Sequence, residues 1–284
     1  MNFSHKIELR RLIIACTAGL TLISFSSCEE DAVQTLPERN WKMVWSDEFN
    51  DASVASPDAA KWSFDIGTGS GGWGNQELEY YTNRTKNVAT DGKGNLAITA
   101  YKESYSGSAY TSGRIKTKGL FSQGYGKFEA RIKTPYGQGI WPAFWLLGAD
   151  IDTNPWPNCG EIDIMELRGQ APSIINGTIH GPGYSGGNAI TKTFGLQDNR
   201  FDADYHIFSV EWGADKIEFF VDGYLYNRIN KSDVLKKGNW VYDHPFYIIM
   251  NLAVGGNYVG LPNSSTVFPQ TMSVDYVRVY EAAN

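Results

Sequence analysis

Cysteine is nearly missing from this chain. Cys16, Cys28 and Cys159 are the three present in 284 residues, and histidine occurs only four times. No cluster of the two has the spacing of a zinc site. Helical periodicity is scarce as well; Ser232 to Lys237 reads as one short helical turn. There is no internal repeat and no low-complexity segment, which excludes a repeat architecture. Positive charge is in deficit. A net charge of −6 leaves no electrostatic case for a nucleic-acid partner and weighs against a sulfated polysaccharide. The apolar run from Leu12 to Ile23 is too short to cross a bilayer. What the chain does have is rings: aromatics make up 14% and charged residues 20%, the balance of a globular, ring-rich protein.

The N-terminus reads as an export signal. Lys6, Arg10 and Arg11 give a positive start, the apolar run follows, and the stretch ends in Phe25-Ser26-Ser27-Cys28. Small residues before a cysteine resemble a bacterial lipoprotein cleavage box, which would make Cys28 the lipid-bearing first residue. Plain secretion with cleavage nearby is the alternative. Glu29-Glu30 resembles signals for export to the outer surface in some Gram-negative bacteria. The expected organisation is a signal peptide over residues 1–27, a polar lipid-anchored tether over 28–39, and one domain over 40–284. Residues 1–27 hold three cations and one carboxylate, so their removal takes the net charge from −6 to −8. Cys159 then stands alone. No intramolecular disulfide is available to it, and with no nearby base in sequence it reads as a packed thiol.

From Trp41 onward, short alternating runs are separated by glycine and asparagine turns. Asn95 to Ala100, Phe128 to Ile132, Phe208 to Trp212, Ile217 to Val221 and Val274 to Tyr280 each read as a strand. Asp222-Gly223 is a two-residue hairpin signal. Repeated short strands with such turns predict an all-β sandwich of two packed antiparallel sheets.

The chemistry is concentrated in Gly160-Glu161-Ile162-Asp163-Ile164-Met165-Glu166. On a strand Glu161 and Asp163 share a face, with Ile162 and Ile164 on the other. Glu166 lies an odd number of steps from Glu161 and would point away; one extra residue near Met165, a β-bulge, would return it. Acid alternating with apolar residues also describes any solvated outer strand. The aromatic stretch Gly139 to Trp145 and the segment Trp156-Pro157-Asn158-Cys159 tell against that plain reading. Carboxylates beside tryptophans suit a sugar site, because ring faces cover the C–H faces of pyranoses.

With those residues in view, the chain resembles glycoside hydrolase family 16 and, within it, the bacterial laminarinase-like endo-β-1,3-glucanases. The resemblance covers roughly residues 40 to 281. It is carried by the bulged carboxylate run, Trp45-Ser46-Asp47-Glu48-Phe49, Gly71 to Thr82, Ser112 to Ile115, Tyr125 to Lys133, Gly177 to Pro182, Asn251 to Asn257 and Val274 to Tyr280. It implies a jelly-roll sandwich with a concave substrate cleft, and hydrolysis with retention of anomeric configuration. By position in the motif, Glu161 is the nucleophile and Glu166 the acid/base, with Asp163 hydrogen-bonded to Glu161. Trp141, Trp145 and Trp156 are expected as sugar platforms; Arg114, Asn75 and His180 are expected to hydrogen-bond hydroxyls. His206 and His244 default to structural roles.

No cofactor is expected for catalysis. Many relatives hold a structural calcium, and the equivalent positions are Glu48 and Gly94 through backbone carbonyls and Asp275. The alternative for Asp275 is a strand cap. The expected partner is a β-glucan polysaccharide, met by a monomer held at a membrane through Cys28, with no nucleic acid. A β-1,3-1,4-glucanase or an agarase-like galactan hydrolase is the nearest alternative. A surface glycan-binding protein is the non-enzyme alternative, and a pure binder has no need of clustered acids.

Overall fold

The structure is a computed structural model that describes residues 34, 36 and 39–283. The export signal and Cys28 lie outside the described residues. In chain order the strands are β1 (Trp41–Asp47), β2 (Ser63–Phe64), β3 (Glu79–Tyr81), β4 (Val88–Thr90), β5 (Leu96–Tyr105), β6 (Ser108–Ser112), β7 (Arg114–Lys116), β8 (Gly126–Lys133) and β9 (Ile140–Gly148). They continue as β10 (Glu161–Leu167), β11 (Ile174–His180), β12 (Ile190–Gly195), β13 (His206–Trp212), β14 (Lys216–Val221), β15 (Tyr224–Asn230), β16 (Phe246–Val254) and β17 (Gln270–Ala282). One short α-helix, α1 (Lys231–Val234), falls in the stretch expected to turn.

Two sheets pack face to face. One runs β12-β11-β10-β9-β16-β7-β2; the other runs β15-β14-β13-β8-β17-β5-β6-β3, with β1 on β17 and β4 on β5. The pairings are antiparallel except β3 with β6, which is parallel and departs from the purely antiparallel expectation. The inward faces of both sheets supply one core, including Ile98, Phe128, Phe144, Ile162, Phe208, Phe219, Ile248 and Val277. The expected hairpin closes β14 onto β15: Asp222 and Gly223 both take positive φ, at 49° and 81°. That is the two-residue turn whose twist matches its strands. Cys159 is fully buried and burial pushes its thiol up to about 12, so it is a packed, unreactive group.

Candidate active site

β10 lies inside its sheet, between β9 and β11, and is no solvated outer strand. Its register carries the bulge. Asp163 pairs with Trp145 of β9, yet Met165 pairs with the very next residue, Phe144, leaving one extra residue on β10. The same shift interrupts pairing with β11 between Asp163 and Glu166. Ile162, Ile164, Met165 and Leu167 all enter the main core, so two consecutive residues point inward at the bulge. Glu161, Asp163 and Glu166 are thereby left together on the outer face. Gly160 immediately precedes the strand at φ 73°, and a Cβ there would meet the Phe246 ring at 2.9 Å. Only glycine fits that approach.

Cross-strand register arranges the outer face in three rungs. The first joins Tyr247, Leu147, Glu161 and His180; the second Ile249, Trp145, Asp163, Thr178 and Thr191; the third Arg114, Asn251, Ala143, Glu166, Asn176 and Thr193. Each carboxylate heads its own rung. Trp141 lies across from Ala253 and stacks obliquely on Tyr258, ring centroids 4.9 Å apart.

His180 faces two of the acids. Its Nδ1 accepts from the Gly186 backbone N–H at 3.1 Å, so a proton sits on Nε2. Nε2 lies 3.1 Å from Asp163 Oδ2 and 3.5 Å from Glu161 Oε1. Asp163 Oδ2 has no well-aligned donor, so this is a close contact rather than a formed hydrogen bond. Trp141 Nε1 donates to Glu166 Oε1 at 3.1 Å.

All three carboxyl groups are pushed up to about 8. Burial is the first cause for each. Asp163's charge adds to the effect at Glu161 and Glu166, and His180 opposes it at both. Glu161 and Asp163 are also hydrogen-bonded, which pulls Asp163 down. Against that, the Asp163 side chain is 5% exposed and that of Glu161 17%. Burial therefore favours the shared proton on Asp163 and the charge on Glu161, where water and His180 stabilise it. The arrangement can hold one ionised and one protonated carboxyl side by side, which is what acid-assisted displacement at an acetal carbon requires.

The other sequence-predicted residues arrive with partners. Trp145 Nε1 donates to Asn251 Oδ1 at 2.8 Å. The Arg114 guanidinium lies between the rings of Trp73 and Trp145, 4.6 and 5.0 Å from their centroids, and pairs with Asp65 at 2.9 Å. Trp156 is exposed at 43% beside the His180 ring, a free sugar-sized platform. Asn75 donates to Glu77 Oε1 at 3.2 Å. Residues not singled out from sequence complete the face. Asn176 donates to the Tyr258 hydroxyl, and Arg168 lies 4.3 Å over the Tyr258 ring. Asn251 had a signal, since it opens the Asn251 to Asn257 segment; Tyr258, Asn176 and Arg168 had none.

Of the candidate calcium residues, Asp275 lies on β17 of the opposite sheet, Glu48 just after β1 and Gly94 just before β5. The Glu48 carboxylate is taken by Arg278 at 2.8 and 3.0 Å, and one Asp275 oxygen by Arg131 at 2.6 Å. A cation there would rely on backbone carbonyls and the second Asp275 oxygen, a hard-oxygen set of low charge. Asp275 stands at a register shift of β17 rather than at the strand end, so it is not a cap. Among the described residues, the one group of three acidic or imidazole ligand atoms close enough to hold a metal is Glu161, Asp163 and His180.

Residues 75–278 match the model of Glycosyl hydrolases family 16. The chain is 40% identical to a beta-glucanase of Rhodothermus marinus over 91% of each protein. It is 39% identical to glucan endo-1,3-beta-glucosidase A1 of Niallia circulans, over 84% of this chain but only 38% of that longer protein. Its fold superposes on the laminarinase catalytic domain of Thermotoga maritima with a TM-score of 0.81 at 46% identity, covering 86% of this chain and 100% of the other.

Proposed function

The chain belongs to glycosyl hydrolase family 16, and from that premise we propose that it is a retaining endo-1,3-β-glucanase. The observation that carries the reading is the bulge that sets Glu161, Asp163 and Glu166 on one face of β10. In the first step the Glu161 carboxylate attacks the anomeric carbon, the glycosidic C–O bond breaks, and Glu166 gives its proton to the departing oxygen. In the second, Glu166 takes a proton from water, whose oxygen displaces Glu161 from the same carbon. Two inversions return the β configuration. Asp163 holds the shared proton and so leaves Glu161 ionised for attack. Trp141, Trp145 and Trp156 offer ring faces to glucose units. His180, Arg114 and Asn75 supply donors along the cleft. No cofactor takes part. A non-catalytic glycan binder gains nothing from three crowded, mutually repelling acids.

The test is product analysis on laminarin, lichenan and agarose. Reducing oligosaccharides from laminarin are expected, with β-anomer appearing first by proton NMR. Cleavage of agarose without laminarin would transfer the protein to a galactan substrate, and initial α-anomer would sink double displacement. Roles are separated by azide: Glu161→Ala should yield an α-glycosyl azide and Glu166→Ala a β-glycosyl azide. Swapped products reverse the assignment.

Three further readings belong to this proposal. The protein is exported and anchored at the outer membrane or cell surface through lipid on Cys28, with the catalytic domain following a short tether. A mature N-terminus without lipid, seen by mass spectrometry of the membrane fraction, refutes it. The domain acts as a monomer, which sedimentation decides. Calcium is held by Glu48 and Gly94 carbonyls with Asp275, and a melting temperature indifferent to EDTA removes it.

A further inference from the structure

Behind Trp145 runs a chain of side-chain hydrogen bonds that all donate in one direction. Trp145 Nε1 donates to Asn251 Oδ1 at 2.8 Å, Asn251 Nδ2 to the Tyr81 hydroxyl at 3.1 Å, and that hydroxyl to Glu77 Oε2 at 2.9 Å. Glu77 Oε1 accepts from Asn75 at 3.2 Å. Glu77 is thus the common sink, a part an ionised carboxylate plays best because it only accepts. It needs one more thing, a neighbour that does not repel it.

That neighbour is Glu79, which is 0% exposed. Its Oε2 accepts the Val254 N–H at 2.6 Å, while its Oε1 is buried with no partner among the ordinary donors. Burial first, then the charge of Glu77, raises Glu79 well above the usual carboxylate range. The orphaned Oε1 is accounted for if it carries the proton and donates it to Glu77. An ionised Glu79 would leave two charges close together in the dry interior, and among the described residues no cation forms a salt bridge with either one. The local backbone fixes Glu77 itself. Glu77 bridges to Gly255, and Gly72, at φ 60°, passes so close that a Cβ would lie 2.5 Å from the Glu77 nitrogen.

We propose that neutral Glu79 is a positioning residue. By donating to Glu77 it anchors the relay Glu77–Tyr81–Asn251–Trp145, which fixes the Trp145 ring on the rung of Asp163 and thereby the sugar bound beside the carboxylates. Trp145 is the cross-strand partner of Asp163, and Asn251 shares the rung of Glu166, so the relay ends on two of the three rungs. Arg114, packed on Trp145, is held by the same ring. The proposal rests on the β-glucanase reading for its kinetic arm only.

Glu79→Gln keeps a donor for Glu77 and an acceptor for Val254; Glu79→Leu keeps neither. The first readout is the Trp145 indole N–H in a nitrogen–proton correlation spectrum of the full chain, assigned with Trp145→Phe. The second is kinetics on laminarin. Glu79→Gln should leave the indole signal in place and kcat/KM within about twofold of wild type. Glu79→Leu should displace the signal and raise KM by roughly tenfold with a smaller change in kcat, the scale of one lost buried hydrogen bond. If Glu79→Leu fails to fold, Tyr81→Phe cuts the same relay and should move the same signal. An unmoved indole in Tyr81→Phe, or a Glu79→Gln as damaged as Glu79→Leu, overturns the proposal. A wild type inert on laminarin would defeat the substrate reading while the indole result stood by itself.

Discussion

Trp141 is 9% exposed, and its single donor goes to Glu166. That bond favours the ionised form of Glu166 and works against the burial that raises it. Trp141→Phe keeps a ring against Tyr258 and deletes the donor. Glu166 should then hold its proton to higher pH. With Glu166 as the proposed proton donor, loss of that proton sets the basic limb of kcat/KM, so the limb should move upward, with the maximum reduced by roughly three- to tenfold. A pH profile on laminarin measures both. A basic limb that stays put would mean that Glu166 is not the proton donor. At this scale the sequence was informative about residue types and blind to partners. The acids and tryptophans stood out by spacing. That Trp145 leans on Asn251, 106 residues away, or that Arg114 is paired with Asp65, depends on strand order, which no local pattern encodes.

At the scale of the strand, β10 departs from a regular alternation by one residue, and the odd step from Glu161 to Glu166 announced it. Its register makes a sharper prediction. Deleting Ile164 would make Asp163 and Met165 consecutive opposite Trp145 and Phe144, so pairing with β9 becomes continuous. All three acids then stay on the outer face. The deletion should retain measurable activity and lower stability by about 2–5 kcal/mol for the lost buried side chain. Inserting an alanine between Met165 and Glu166 does the reverse. It turns Glu166 toward the core and should cost at least about a hundredfold in kcat. Laminarin kinetics with denaturant melts tests the pair; equal damage from both would refute the bulge as the device that aligns the acids. Other elements were legible for similar reasons. Asp222-Gly223 fixed a hairpin because few residues accept two positive φ values in succession. The parallel contact of β3 with β6 left no trace, since parallel pairing is set by the path of the intervening chain.

Across the whole molecule, two sets of carboxylates oppose each other in their response to pH. Away from the cleft, partners depress several groups: hydrogen bonds from Lys86 and then Thr111 lower Glu103 to about 2, and Arg278 lowers Glu48. Such groups add stability above their unfolded pKa that is lost as pH falls through the folded value. In the cleft the sign is inverted. Asp163 and Glu166, the two that hold the protons, stand at about 8, against ordinary values of 3.8 and 4.5. Between those limits the folded chain binds more protons than the unfolded one. Stability must therefore decline as pH rises from about 4 to about 8. The maximum should lie on the acid side of neutrality, bounded below by the surface ion pairs and above by the cleft. Asp163→Asn removes one raised group at nearly constant shape. It should melt close to wild type at pH 4 and above it at pH 8, by about 2–4 °C for each kcal/mol recovered in a domain of this size. Thermal melts of both proteins across that range decide the point. A gap that is the same at both ends would show that the cleft carries no excess protons, and the acid/base assignment would lose its electrostatic basis with it.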